Sequence, residues 1–241
     1  MLSPIETRIL FSQRKWDRIV AFQTRNPLHR AHEYAVVYAA EKLTKEGFFT
    51  GVVINPLVGE TKSDDVPADI RMRTYEALLT SKLLGCGDKD AEFWNMKGCD
   101  LTDQILLLGI DMKMFYAGPK EAIMHAIYRQ NYGFTDIIIG RRHADATFDS
   151  GFSLWGDFDA QDKFESLKGQ LLIKPLKIGF AAYFEELGRV AFIEEFKRKG
   201  YRQISISGKE LRKKLENREP LDERIMRRPV AEILYNAYQK S

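Results

Sequence analysis

Three times along this chain a short apolar run rich in β-branched residues ends in a polar loop that opens into a segment with helical spacing. Trp16 to Phe22 (WDRIVAF) leads through QTRNPLHR into AHEYAVVYAAEKL, and GVVINPLVG (51–59) leads to the helix PADIRMRTYEALLTSKLL, with Asp65 or Pro67 near its start. KMFYAG (113–118) leads into PKEAIMHAIYRQNYG, where Pro119 suits a first helical turn and Gly133 a helix end. A fourth run, TDIIIG (135–140), ends in the loop RRHADAT. Such alternation admits few folds, because crossovers through helices make neighbouring strands parallel. The expected class is α/β: a Rossmann-like parallel sheet with helices on both faces, plus a small C-terminal helical appendage. The expected division is a catalytic domain over 1–206 and a helical subdomain over 207–241, with a helix from Gly208, a turn at Pro220 and a last helix opening near Pro229. The stretch 148–203 reads as less regular.

In sheets of this class ligands gather beyond the carboxyl ends of strands. The stretch from Gln23 to His32 and the stretch from Arg141 to His143 both follow expected strands, so the two polar clusters are expected to share one crevice. His29 and His32, three residues apart on a first helical turn, point to the same side. Unpaired N–H groups and the partial positive charge of the helix start favour an anion there, phosphate above all. Arg25 adds a planar fork for a tetrahedral oxyanion, and Gln23 and Asn26 add neutral donors. This set binds and orients without supplying a nucleophile, which points to phosphoryl or nucleotidyl transfer by positioning and electrostatics. An isolated histidine pair would read as a capped helix with one buried ring. Here three of the four histidines fall at strand ends, which favours the binding role.

Two histidines could also ligate a metal, but neither Cys86 nor Cys99 is placed to complete a zinc site. Those two cysteines read as free thiols of a reducing compartment, with the cytoplasm as default. The N-terminal stretch is broken by Glu6, Arg8, Arg14, Lys15 and Arg18 and lacks the apolar core of a secretion signal, and no apolar stretch is long enough to span a membrane. Of 241 residues 44% are hydrophobic and 29% charged, as in soluble globular proteins, and a net charge of +3 is too small to imply a nucleic-acid partner. The basic clusters at 197–202, 208–219 and 223–228 read as solvated helix faces, with a surface facing a nucleotide as the sharper alternative.

These residues resemble one family in particular. QTRN and HRAH (Gln23 to His32), NPLVGETKSDDVPADIRMRTYEALL (55–79), AGPKEAIMHAIYRQNYG (117–133), IIGRRHA (138–144) and ISGKELRKKL (206–215) follow, in order, the pattern of ATP sulfurylase (sulfate adenylyltransferase), within the histidine-motif nucleotidylyltransferases. That resemblance implies attack of sulfate on the α-phosphorus of MgATP, giving adenylyl sulfate and pyrophosphate with no covalent enzyme intermediate, as in sulfate assimilation. It implies that Arg25 holds sulfate, that Gln23, Thr24 and Asn26 bind and orient the substrates, and that His29 and His32 bind phosphates and stabilise transition-state charge. Arg141 and His143 would line the nucleotide, and the Ala144 N–H would help hold sulfate. Ser207, Gly208 and Arg212 match an element that closes the nucleotide site. The implied cofactor is Mg²⁺ with ATP, the implied partners are ATP and sulfate or a related oxyanion, and homo-oligomer formation is left open.

The chain also departs from the family's pattern. GRRHADAT stands where members read GRDHAGPG, so that Arg142 replaces an acid and Asp145, Ala146 and Thr147 replace Gly-Pro-Gly. Asp145 beside bound sulfate would repel it unless its side chain turns away or pairs with Arg142. Another acceptor (a different oxyanion, a phosphonate or a sugar phosphate) is therefore the alternative, followed by a catalytically silent nucleotide- or RNA-binding module. YFEELGRVAFIEEF (183–196) lacks the zinc-binding cysteines that several members carry, so no structural zinc is expected. The expectation is a stand-alone catalytic unit, or a piece of one. Asp64 and Asp65 read as turn or helix-cap residues.

Overall fold

The computed structural model describes residues 1–59, 65–148, 151–205 and 208–238. Ser207 and Asp64 lie outside the described residues, as does the side chain of Arg212. In chain order the elements are α1 (Pro4–Arg14), β1 (Arg18–Thr24), α2 (Arg30–Lys45), β2 (Thr50–Pro56), α3 (Ala68–Thr80), α4 (Ala91–Met96), β3 (Ile105–Leu107), α5 (Gly118–Asn131), β4 (Asp136–Ile139) and α6 (Asp159–Asp162). They continue with β5 (Lys174–Lys177), β6 (Ala181–Phe184), β7 (Arg189–Phe192), α7 (Ile193–Phe196), β8 (Gln203–Ile204), α8 (Gly208–Glu216) and α9 (Arg228–Tyr238). The chain folds into two compact units that interleave along the sequence. One comprises Met1–Thr24, Ala39–Thr61 and Leu108–Gly179; the other comprises Arg25–Tyr38, Lys62–Leu107 and Phe180–Ser241.

The first unit is α/β, and its four parallel strands run in the order β2-β1-β4-β5. Val20, Ala21, Val52, Val53, Ile54, Ile137 and Ile139 are wholly buried, the pattern of strands covered on both faces rather than one. Strand β1 runs two residues beyond the apolar run, placing Gln23 opposite Asn55 and Thr24 opposite Pro56 of β2. Helix α1 opens on a capping box in which Ser3 Oγ accepts the Glu6 N–H and Glu6 accepts the Ser3 N–H at 2.7 Å.

KMFYAG is not a strand, contrary to the sequence reading. The alternation that imitated one is real, because Met112 and Met114 are buried while Lys113 and Phe115 are exposed. Two of its backbone donors go to a side chain instead of a neighbouring strand: Glu121 accepts the N–H groups of Phe115 at 2.9 Å and Ala117 at 2.7 Å. Tyr116, at φ 55°, breaks the extended run between them. The less regular stretch supplies β5, which completes the four-strand ladder, and the β6–β7 hairpin.

The second unit carries the antiparallel sheet β7-β6-β8 and the packed pair α3 and α9. Its centre is a buried charge cluster. Arg30 donates to Asp88 at 2.8 Å and stacks over the Tyr183 ring at 4.9 Å. Arg227 donates to Glu33 at 3.1 Å and to Asp88 at 3.3 Å. The N–H groups of Val190 and Gly85 donate to Asp88 and Glu33 at 2.8 and 2.9 Å. Two carboxylates facing two guanidiniums satisfy the rule that buried charges are paired. They fix the first turn of α2, where Arg30 follows His29 and Glu33 follows His32.

Candidate functional site

Arg25 and Asn26, the last two residues of QTRN, open the second unit and lead toward α2. The half-buried Arg25 side chain pairs with Asp65, whose side chain is only 2% exposed. Asp65 therefore holds the arginine rather than capping α3, which starts after Pro67 without a side-chain cap. The backbone carbonyl of Asn26 accepts the Tyr75 hydroxyl at 2.8 Å, which leaves the Asn26 side chain to an exposed position. His29 and His32 stack face to face, with ring centroids 3.7 Å apart and 22° between planes. The spacing does bring both rings to one side.

The backbone at this helix start offers less than expected. The Arg30 N–H donates to the Ile225 carbonyl at 2.7 Å, and those of His32 and Glu33 donate to the His29 carbonyl at 2.8 and 3.1 Å. An anion here would meet side chains and the helix dipole, with three of the first-turn N–H groups already used. Burial lowers the His32 pKa to about 4, and burial together with the neighbouring His32 holds His29 well below its ordinary range. Both rings are neutral at neutral pH and present themselves as donors or acceptors, not cations.

In the first unit the strand ends carry a second histidine pair. Gln23, at the end of β1, places its Nε2 2.9 Å from His125 Nδ1. The same Nδ1 is 2.9 Å from His143 Nε2, and His125 Nε2 is 3.1 Å from Glu121 Oε1. His125 is wholly buried on α5, and His143 is half-buried in the loop after β4. Beneath them Arg129, also wholly buried, donates to Asn55 at 2.9 Å and to the Met112 sulfur at 3.0 Å. Burial draws the Arg129 pKa down to about 9. Burial first, and then His125 and Arg129, lowers His143 to about 3.

The loop RRHADAT is held differently from the sequence reading. Arg142 pairs with Asp157 at 2.6 Å and not with Asp145, whose carboxylate instead meets the Ser153 hydroxyl. Left-handed backbone falls at Arg142 (φ 48°) and Ala144 (φ 57°) rather than at the three positions where the family pattern has glycine or proline. The Ala144 carbonyl accepts the Gly118 N–H at 3.0 Å, which ties the loop to the start of α5. Gly118 is needed there, because a Cβ would lie 2.4 Å from the Trp155 ring. Arg141 is exposed, 3.9 Å from Asp157.

A model of the family described as ATP-sulfurylase matches residues 1–237. The chain belongs to the ATP-sulfurylase family. A sulfate adenylyltransferase of Pyropia yezoensis is 53% identical over 241 residues, covering 99% of this chain and 57% of that protein. Another, of Carboxydothermus hydrogenoformans, is 38% identical over 239 residues, with 99% and 55% covered. The chain thus spans about half the length of these curated relatives. A solved structure, a hexameric APS kinase from Thiobacillus denitrificans, superposes with a TM-score of 0.69 at 19% identity, covering 98% of this chain and 39% of that one. That likeness bears on the fold alone.

Within this member of the ATP-sulfurylase family the structure brings Gln23 and His143 together in the first unit, joined through a residue the sequence reading passed over. His125 was missed because it lies inside an amphipathic helix. The signal available was Glu121 four residues before it, a spacing that puts both side chains on one helical face. In the second unit Arg25 meets Asp65, and His29 meets His32. Gly208 begins α8 as expected.

All four histidines titrate lower in the folded chain than the ordinary value near 6.5. Below about pH 6.5 the unfolded chain therefore binds protons that the native state refuses, and stability must fall as pH drops toward 4. The expected result is a urea midpoint, at constant m, that declines steadily from pH 6.5 to pH 4.5, before most carboxylates titrate. A His143→Asn variant should show a shallower decline. A midpoint flat across that window would contradict the neutral, enclosed histidines.

Proposed function

We propose that this chain carries the chemistry of sulfate adenylyltransferase. A sulfate oxygen attacks the α-phosphorus of ATP; the new bond yields adenylyl sulfate as the bond to pyrophosphate breaks. The observation that carries the reading is the strand-to-helix segment, in which an arginine fork is held by a buried carboxylate and followed by two stacked neutral histidines. Such a set supplies orientation and hydrogen bonds but no nucleophile, which suits direct in-line transfer. The names of the relatives agree with it.

Arg25 would hold sulfate, with Gln23, Thr24 and Asn26 orienting the reactants and His29 and His32 on the phosphates. Neutral histidines can gain protons as phosphate charge approaches, so they can answer charge that develops in the transition state. Arg141, His143 and the Ala144 N–H would serve the nucleotide and sulfate, and Ser207, Gly208 and Arg212 of the C-terminal subdomain would close the nucleotide site. Among the described residues no group of three or more His, Cys, Asp or Glu side chains is arranged to hold a metal ion. Magnesium would ride on the ATP phosphates and waters, as it commonly does. The wider histidine-motif nucleotidylyltransferase grouping, a cytoplasmic setting and self-assembly belong to the same reading. Among the described residues no helix is long and apolar enough to cross a membrane.

The test is pyrophosphate-dependent ATP formation from adenylyl sulfate with magnesium, repeated in the forward direction with sulfate and pyrophosphatase. Turnover both ways is the expected result. ATP binding by calorimetry without turnover would favour a different acceptor, the alternative raised by the sequence departures at Arg142 and at Asp145, Ala146 and Thr147.

A further inference from the structure

The line Glu121, His125, His143 is a directional chain of hydrogen bonds. Glu121 accepts the backbone N–H groups of Phe115 and Ala117, and these hydrogen bonds together with that of His125 keep its pKa low, although burial opposes them. An ionised carboxylate only accepts, so at 3.1 Å the His125 Nε2 must carry a proton. The other nitrogen, Nδ1, then depends on whether His125 is charged. The ring is wholly buried, and the Arg129 guanidinium, paired with no carboxylate among the described residues, adds a like charge nearby; against these stands Glu121. A neutral His125 leaves Nδ1 as a lone pair, which accepts from both His143 Nε2 and Gln23 Nε2 at 2.9 Å.

We propose that Glu121 and His125 are positioning residues that fix His143 as its Nε2–H tautomer, so that His143 Nδ1 is a hydrogen-bond acceptor that recognises a donor group of the nucleoside rather than a phosphate or sulfate oxygen. The ligand part of this inference rests on the reading of the loop after β4 as the nucleotide side. A lone pair facing an oxyanion is repulsive, whereas a ribose hydroxyl or a purine amino group supplies the proton it needs. The same chain orients Gln23, since its amide nitrogen and not its oxygen must face the His125 lone pair. The half-buried histidine of this loop thus separates the neutral part of the nucleotide from its charged part.

Long-range nitrogen–proton correlation spectra of the ¹⁵N-histidine-labelled full chain at neutral pH test the tautomers with no ligand present. His143 and His125 should each show a protonated Nε2 and an unprotonated Nδ1. A protonated His143 Nδ1, or a doubly protonated His125, would overturn the proposal. In His125→Phe the signature of His143 should shift toward a mixture of tautomers; an unmoved His143 in that variant would also overturn it. The wild-type spectrum decides the point should that variant fail to fold.

The ligand arm compares calorimetric affinities for ATP, its 2′- and 3′-deoxy analogues and the triphosphate of purine riboside. In the wild type one of these analogues should bind about three- to tenfold more weakly than ATP, the effect of one hydrogen bond, and His143→Phe should erase that difference. The deoxy and deamino analogues tell ribose from base. Loss of affinity for inorganic pyrophosphate in His143→Phe, with discrimination among the nucleosides unchanged, would place the ring on phosphate and refute the ligand assignment. If no nucleotide binds at all, the functional reading fails and takes the ligand arm with it, while the spectra still decide the tautomer.

Discussion

Arg25→Ala is expected to lower kcat/KM for sulfate by about 10²–10³-fold, the scale seen when one preorganised donor to a developing oxyanion is removed. The variant also removes the guanidinium that pairs with Asp65, a nearly inaccessible carboxylate, so activity and stability will fall together. Arg25→Lys separates the two effects. The ammonium keeps a charge for Asp65 but loses the planar fork, so that variant should melt near the wild-type temperature and still lose at least about tenfold in kcat/KM. Adenylyl sulfate formation from ATP and sulfate in the presence of pyrophosphatase, with thermal unfolding of each variant in parallel, gives both readings. Full activity in Arg25→Lys would remove bidentate recognition from the account, and full activity in Arg25→Ala would remove Arg25 altogether.

Asp88→Asn should cost about 3–5 kcal/mol of folding free energy, the range found when one member of a buried ion cluster is removed and its partners remain. Asp88 answers Arg30 and Arg227 at once and accepts the Val190 N–H. An amide could still accept from Val190, but two guanidiniums would be left with Glu33, whose own carboxyl burial pushes up in pKa. Urea unfolding at neutral pH with an unchanged m-value measures the loss, and a change below about 1 kcal/mol would show the cluster to be solvated or redundant. Because Arg30 and Glu33 sit in the first turn of α2, a partly folded variant should also loosen the His29–His32 stack, visible as broadened histidine resonances.

Where the chain's own spacing decides geometry, the sequence was readable. The stacking of His29 and His32 follows from a three-residue step on one helix, and the burial of Val20, Val52 and Ile137 follows from short apolar runs that length and turn residues mark as strands. Helix α5, Gly118–Asn131, has a proline where the first turn tolerates one. Where a residue's meaning depends on a distant partner, the same reading faltered. Asp65 looked like a cap until Arg25 appeared beside it. KMFYAG alternated like a strand because its burial does alternate, yet its Phe115 and Ala117 amide protons belong to Glu121.

By itself, then, the sequence determined the alternation of strand and helix, the parallel sheet that alternation requires, and the placing of polar loops after β1 and β4. These are local consequences of side-chain periodicity and of restricted backbone at proline and glycine, and a single stretch of chain suffices to express them. Tertiary structure decided which charges neutralise which, as in Arg30 with Asp88 and Arg142 with Asp157 rather than Asp145. It also lowered the pKa values of His125 and His143, because burial and nearby charged groups set the cost of a charge. That cost is a property of the folded surroundings, assembled from residues that lie far apart along the chain.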